Sequence, residues 1–316
     1  MIGRPVGVRA VVLALIFVLA SPSVPLAQER IPVVATFSIL ADLVREVGGE
    51  RVEVRSLLGP DMDMHGYQPT PADGRALASA KLVVANGLGF EGWIDRLVRS
   101  SGYKGPVVTA TTGVTPLAAE RRHAHGHGEA ERQQRRTGRP VPDPHAWQDV
   151  RNVLLYVGNI AEGLAKIAPA DADIFRGNAT RYSERLRSLD AEIRQGMAII
   201  VPEKRRAITS HDAFAYFGTA YGVTFSAASG VSSEAQPSAR AMAALITQIK
   251  REGTKAIFLE NLGDPRPLQQ LARDAGAVVG GKLYSDALSA PGGPAGTFEQ
   301  MMRHNAVTLI EAMKAN

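Results

Sequence analysis

IPVVATFSILADLVREVGGERVEVRSLL, residues 31–58, changes its period twice. Ile31 to Thr36 is a short run rich in β-branched residues and reads as a strand. Ile39 to Val47 carries apolar residues at helical spacing and stops at Gly48-Gly49, a helix-ending pair. Val52 to Leu58 is again a strand. A strand, a helix and a second strand within so short a stretch predict a βαβ unit, whose two strands pair in parallel.

The alternation continues outward from this unit. Pro71 to Ser79 reads as a short helix, Lys81 to Ala85 as a strand and Glu91 to Ser100 as a helix. From Glu120 to Pro144 periodicity is lost and the composition turns to His, Arg, Glu, Gln, Gly and Pro, which predicts a polar loop. Regular structure resumes over Asp149 to Ala168, followed by a helical stretch from Ala170 to about Ile200 that is charged over most of one face. A helix near thirty residues long spans roughly 45 Å, too long for one layer of either half, and reads as a rigid connector. A second alternation follows. Its strands are Arg206 to Ser210, Val223 to Ala227, Lys255 to Glu260 and Ala277 to Gly280. Its helices are Asp212 to Tyr221, Ser238 to Glu252, Pro267 to Gly276 and a last one over Thr297 to Lys314. The expected fold is therefore α/β, with an N-terminal lobe over 28–168, a linker helix over 169–200 and a C-terminal lobe over 201–316. Such a pair of lobes leaves a cleft at the carboxyl ends of its strands, where open α/β sheets bind ligands.

Ahead of this fold, Arg4 and Arg9 precede the apolar run Ala10 to Ala20, and small residues follow. This is the layout of a secretory signal peptide over 1–27, with cleavage expected after Ala27. No later segment approaches the roughly 18 continuous apolar residues of a membrane span. The sequence holds no cysteine, which excludes a disulfide framework and a thiolate metal site and offers no lipid acceptor, so a diffusible periplasmic protein is expected. The formal charge of +5 falls to about +3 without Arg4 and Arg9, the charged residues ahead of Gln28. Basic residues are scattered apart from Arg132, Arg135, Arg136 and Arg139, with no aromatic stripe beside them, so no nucleic-acid partner is expected.

Three histidines stand where a cleft site needs them. His65 lies in the loop after the second strand, His145 in Pro142-Asp143-Pro144-His145, and His211 at the end of the strand Arg206 to Ser210. Taken singly, each is an ordinary polar residue. Separations of 80 (145 minus 65) and 66 (211 minus 145) residues exclude a local zinc finger, and no His-Glu-x-x-His helix is present. Only the tertiary fold can unite them.

Four motifs, in order, supply the connection. Asp61-Met62-Asp63-Met64-His65-Gly66-Tyr67-Gln68-Pro69-Thr70-Pro71-Ala72-Asp73 resembles the first-ligand loop of the cluster A-I (ZnuA/TroA-like) metal-binding proteins of ABC transporters. Asp143-Pro144-His145-Ala146-Trp147 resembles the second motif of that family, and Ser210-His211-Asp212-Ala213-Phe214-Ala215-Tyr216-Phe217 the third. Leu283-Tyr284-Ser285-Asp286-Ala287-Leu288-Ser289 resembles the fourth, and Thr297 to Asn305 is similar to the start of the family's terminal helix. The chain looks most like the zinc-specific AztC-type periplasmic zinc-binding proteins. The resemblance implies two (β/α)4 lobes with parallel sheets joined by one long helix, and a metal in the interlobe cleft held by His65, His145, His211 and Asp286. It further implies a solute-binding protein, not an enzyme, that captures Zn2+ with high affinity as its transported ligand. The implied partner is an ABC transporter permease in the inner membrane, with a periplasmic zinc metallochaperone as a possible donor and a monomer as the working form. Three imidazoles and a carboxylate form an N3O set suited to zinc, whereas manganese prefers more oxygen, and manganese members typically carry Glu where His211 stands.

Other signals point elsewhere. His123, His125 and His127 alternate within the polar loop and form a candidate auxiliary, low-affinity metal tract, which the resemblance connects with zinc acquisition. Gly87-Leu88-Gly89-Phe90-Glu91-Gly92 fits the dinucleotide fingerprint, yet no acidic ribose partner stands about twenty residues on, near Thr111 and Thr112. Ser210, His211 and Asp212 are triad residue types, but neighbours in sequence point apart and no G-x-S-x-G elbow is present. His304 has no ligand-like neighbour. The alternatives to a zinc carrier are a zinc-dependent hydrolase on the same cluster, drawing on Glu234 or Glu260, and a manganese-binding or adhesin-type member of the family.

Overall fold

The computed structural model describes residues 3, 29–119, 141–230 and 238–316. The expected signal peptide, His123, His125 and His127, the arginines of the polar loop and Glu234 lie outside the described residues.

The first lobe contains β1 (Ile31–Ala35), α1 (Ser38–Gly48), β2 (Val52–Ser56), α2 (Pro71–Ser79), β3 (Leu82–Ala85), α3 (Ile94–Ser101), β4 (Val107–Thr109) and α4 (Val150–Ile167). Its four parallel strands run in the order β2-β1-β3-β4, with Val33 opposite Val54 and Leu82. β3 is buried at all four positions, as a strand covered on both faces must be. The edge strand β4 is only three residues long and mostly exposed, too short to leave a readable period in the sequence.

The second lobe repeats the plan with β5 (Arg206–Thr209), α6 (Ala215–Tyr221), β6 (Thr224–Ala227), α7 (Ala239–Glu252), β7 (Ala256–Glu260), α8 (Arg266–Ala275), β8 (Val278–Leu283) and α9 (Phe298–Met313). Its parallel strands run β6-β5-β7-β8. The two lobes thus share one topology, and the α/β expectation holds in both.

The long helix between them, α5 (Ala172–Ala198), has 27 residues and is about 40 Å long. It differs from a bare connector. Phe175, Ala179, Tyr182, Leu186, Leu189, Ile193 and Met197 recur every three or four residues and are all buried, forming one apolar stripe along the helix. The stripe packs on α4 and α1 of the first lobe and on α9 of the second. One hydrophobic core consequently runs from Val33, Leu40 and Tyr156 through Leu186 and Ile193 to Phe217, Phe298 and Met301. A smaller cluster around Ile208, Leu245, Ile257 and Leu271 fills the outer side of the second lobe.

Polar contacts lock the same junction. Asp42 of α1 accepts a hydrogen bond at 2.8 Å from the backbone N–H of Phe298, the first residue of α9. Arg185 of α5 joins Glu46 and Glu299, and Arg303 joins Glu299 and Glu192. Among the described residues no helix is long and apolar enough to cross a membrane.

Candidate metal centre

Every polar residue of the site follows the carboxyl end of a strand or closes it. His65 lies between β2 and α2, His145 between β4 and α4, His211 two residues after β5, Glu260 at the end of β7 and Asp286 three residues after β8. In parallel sheets these ends lie on one side, so the fold brings distant segments to the cleft between the lobes.

There His65, His145, His211 and Asp286 converge, each offering one ligand atom, with all four atoms within 4.8 Å of one another. Asp286 is the hub. Its Oδ2 lies 3.2 Å from His65 Nε2 and 3.2 Å from His211 Nε2, and its Oδ1 lies 3.5 Å from His145 Nε2. A tetrahedron with zinc bonds of about 2.0–2.1 Å has edges of about 3.3 Å. The 3.2 to 3.5 Å spacings around Asp286 are close to that edge length. His145 Nε2 and Asp286 Oδ1 are buried and have no hydrogen-bond partner among the described residues, the condition of lone pairs that await a cation.

Two imidazoles are oriented from behind. His145 Nδ1 lies 2.7 Å from Asp143 Oδ1, which also accepts the His145 backbone N–H at 2.9 Å. His211 Nδ1 lies 2.6 Å from Glu260 Oε2, while Glu260 Oε1 accepts the backbone N–H groups of Ser210 and His211 at 2.8 and 3.0 Å. A carboxylate behind Nδ1 favours the Nδ1–H tautomer and frees Nε2 as the ligand atom. Asn86 extends the support, donating to Pro144 O at 2.9 Å and accepting from Tyr156 OH at 2.7 Å.

The Asp286 loop is pinned from three directions. Asn305 of α9 bonds both backbone groups of Tyr284, and Trp147 Nε1 and Gln148 Nε2 both donate to Ser285 O at 2.9 Å. Ser38 accepts from Leu288 N at 3.0 Å, and Asp61 N donates to Leu288 O at 2.9 Å. The carboxylate is therefore presented by a fixed backbone, with contacts from both lobes.

Burial and charge act against each other here. Burial opposes protonation of His211, but Glu260 and Asp286 outweigh it and hold its pKa well above the usual imidazole range. Burial likewise opposes charge on His145, and Asp286 and Asp143 overcome it and raise its pKa. Burial favours protonation of Asp286, but His145 and His211 prevail and keep it well below the usual carboxylate range. Aromatic rings complete the wall. Phe90 stands edge-on to His65 and His145 at 5.6 and 6.0 Å, and Trp147 lies 5.3 Å from His145. The side chains of His145, His211 and Asp286 are 0–1% exposed, whereas that of His65 is 12% exposed.

All four residues expected at the site meet there. His304 does not join them: its Nε2 lies 2.9 Å from Lys282 O. The glycine-rich stretch 87–92 is a structural turn. Gly87 and Gly89 adopt φ of +92° and +80°, and the Glu91 carboxylate accepts the N–H groups of Asn86 and Gly87, which a pyrophosphate would need. Sequence reasoning gave no role to Asp143 or Phe90 and weighed Glu260 as a possible catalytic base. Glu260 instead backs His211. The signals were present, since Asp143 stands two residues before a candidate ligand and Glu260 closes a strand at the cleft edge.

The chain is similar to proteins named for three different metals. It is 30% identical over 283 residues to the iron-binding protein YfeA of Yersinia pestis, covering 90% of this chain and 86% of that one. It is 31% identical over 300 residues to the manganese-binding lipoprotein MntA of Bacillus subtilis strain 168, covering 91% of each. The solved structure of the periplasmic zinc binding protein TroA from Treponema pallidum superimposes with a TM-score of 0.78 at 30% identity, over 90% of this chain and 99% of that one. These relatives are named for the metals they bind, and the four clustered residues of this chain are of the kind that could hold such an ion. The family model for the periplasmic zinc-uptake complex component A, ZnuA, matches residues 33–312, which span both lobes and all four site residues, and the chain belongs to that family.

Proposed function

We propose that this protein is a periplasmic solute-binding protein that captures Zn2+ with high affinity and hands it to an ABC transporter permease in the inner membrane. His65, His145, His211 and Asp286 are the proposed ligands. The observation that carries the reading is the convergence of three imidazole Nε2 atoms on one buried carboxylate, with two of the rings already fixed by Asp143 and Glu260. An N3O donor set of borderline softness favours zinc, whereas manganese sites are richer in oxygen. Asp286 sits on a pinned backbone, which supports a closed four-ligand site over a catalytic one with an open position. The proposed working form is a diffusible monomer, as the 316 residues contain no cysteine to accept a lipid, and its proposed zinc source is the free ion or a periplasmic zinc metallochaperone.

The test is metal analysis of the purified protein with competitive titration of Zn2+ against Mn2+, repeated on His211→Ala and Asp286→Ala. Zinc is expected to bind stoichiometrically and far more tightly than manganese, and both variants to weaken it. Equal affinity for manganese would overturn the zinc assignment and favour the manganese reading, which the likeness to a manganese-binding relative also supports. Absence of binding by any divalent metal would overturn the carrier function as well.

A further inference from the structure

Beside the metal site, the first lobe carries an open groove of about 830 Å³ between the segment 68–71, α2 and α3. Gln68, Thr70, Arg75, Ala78, Trp93 and Arg96 are among the residues that line it, and among the described residues no carboxylate does. Arg75 and Arg96 are exposed and make no ion pair among the described residues. The groove therefore presents two free guanidinium groups beside an aromatic wall. Trp93 is 7% exposed and its buried Nε1 has no hydrogen-bond partner, so this wall also holds an unused donor.

The groove is tied to the proposed metal ligand by a short chain of contacts. Tyr67, two residues after His65, stands edge-on to Trp93 with ring centroids 5.4 Å apart. Its hydroxyl donates to Asp73 Oδ2 at 2.6 Å, and the same oxygen accepts from Thr70 N and Thr70 Oγ1 at 2.7 Å each. One oxygen thus fastens the His65 loop to the first turn of α2, which forms one side of the groove. His65 is also the most exposed of the four clustered residues.

We propose that the groove is a docking site for an acidic segment of the transporter's periplasmic face, and that the seated segment bears on the His65 loop. This rests on the transport reading above. Unpaired arginines recognise carboxylates in bidentate geometry, and their charge also steers an acidic partner during encounter. Contact with Trp93 or Thr70 reaches Tyr67 and Asp73 directly, so docking is coupled to the corner of the site that solvent already touches.

Two measurements on the full zinc-loaded protein test this. In the first, uptake of radioactive zinc is followed in cells that depend on this chain, carrying the wild type, R75E/R96E, R75K/R96K or the groove-filling A78W. R75E/R96E and A78W are expected to lower uptake at least 10-fold while zinc affinity stays within about twofold of wild type, and R75K/R96K, which keeps the charge and loses the bidentate geometry, to lower it by less than R75E/R96E. Uptake by R75E/R96E equal to wild type would overturn the proposal. If the wild type itself supports no uptake, the transport reading fails instead, and the second measurement decides the groove. There, a fluorescent octapeptide alternating Glu and Leu is titrated against its Lys and Leu counterpart and against inorganic phosphate. Selective binding of the acidic peptide, weakened at least 10-fold by R75E/R96E, and faster zinc transfer to a chromophoric chelator when it is bound are the expected results. Equal binding of both peptides, full displacement by millimolar phosphate or self-association through the groove would overturn it.

Discussion

His145 Nε2 and Asp286 Oδ1 face each other at 3.5 Å across the cleft, both buried and neither with a hydrogen-bond partner. The two lobes thus supply complementary atoms that only a proton or a cation between them can satisfy. Asp286→Asn keeps the shape and removes the charge. We expect it to weaken zinc binding by more than the roughly 10–100-fold typical of losing an outer-shell partner. It should also lower the His145 and His211 pKa values in the metal-free protein. Competitive zinc titration and NMR titration of the imidazoles check both; unchanged affinity would remove Asp286 from the ligand set.

A zinc ion entering the proposed site would have to displace protons from its imidazoles. Neighbouring carboxylates hold the pKa values of His145 and His211 above the ordinary 6.5, so acid competes with a bound metal increasingly as pH falls. Each displaced proton costs about tenfold in apparent affinity per pH unit. We expect affinity to fall at least about 10-fold per unit between pH 7.5 and 5.5, with proton release visible by calorimetry in buffers of different ionisation enthalpy. Equal affinity at pH 5 and pH 7.5 would refute this.

The metal-free fold has the opposite dependence on the alkaline side. The raised pKa values of His145 and His211 stabilise it fully below about pH 6.5, and that contribution is lost as pH rises through their folded values. Asp286, with a lowered pKa, contributes above about pH 3.8 and loses this only as pH falls through its folded value. Differential scanning calorimetry should therefore show the gap in Tm between zinc-loaded and metal-free protein widening from pH 6 to pH 8.

Much of this site was legible in the sequence, but not from single residues. His65, His145 and His211 have no mutual spacing that a periodicity argument can use, because crossover helices separate them in the chain. What made them readable was their place after strands and the ordered motifs around them. The orienting contacts were hidden for a different reason. Glu260 lies 49 residues from the ring it backs, and that pairing depends on β5 and β7 being neighbours, a fact of sheet order rather than of local sequence. The long helix was found by its length, and its packing on both lobes was missed because its charged face dominated the reading.

At the proposed site, Glu260 and Asp143 would act on zinc through the rings they hold. Glu260→Gln and Asp143→Asn are each expected to reduce zinc affinity about 10–100-fold while the protein keeps its fold. Circular dichroism with zinc titration separates the two effects. An unchanged affinity in both variants would show that the rings need no such support.

Asp42 sits at the junction of the lobes, and burial raises its pKa from 3.8 to about 6. A carboxyl with a raised folded pKa stabilises the fold below its unfolded value and loses that contribution as pH rises through about 6. Asn keeps an acceptor for the Phe298 N–H without the buried charge. Asp42→Asn should hold or raise stability at pH 7.5, by up to roughly 1–2 kcal/mol, whereas Asp42→Ala should cost about 1 kcal/mol relative to Asn by losing the cap. Urea denaturation at pH 5 and 7.5 distinguishes them, and a destabilised Asn variant at pH 7.5 would count against the assignment.

The histidine tract between the first two motifs leaves and rejoins the described fold at one place. Ala119 N donates to Val141 O at 2.9 Å, and Asp143 N to Leu117 O at 2.8 Å. Removing residues 120–138 leaves two residues to close a gap that backbone bonds already span. The shortened protein should keep its tight zinc site and lose only weaker, additional binding, as isothermal titration will show. Loss of all zinc binding would mean that the tract belongs to the principal site.

The core that passes through α5 makes the two lobes one cooperative unit. Leu186, Ile193 and Phe298 belong to one cluster that holds side chains of both lobes, and α5 packs on α1 and α4 of the first and on α9 of the second. Pulling the lobes apart would expose that shared interior to water, a cost that ties the melting of one lobe to that of the other.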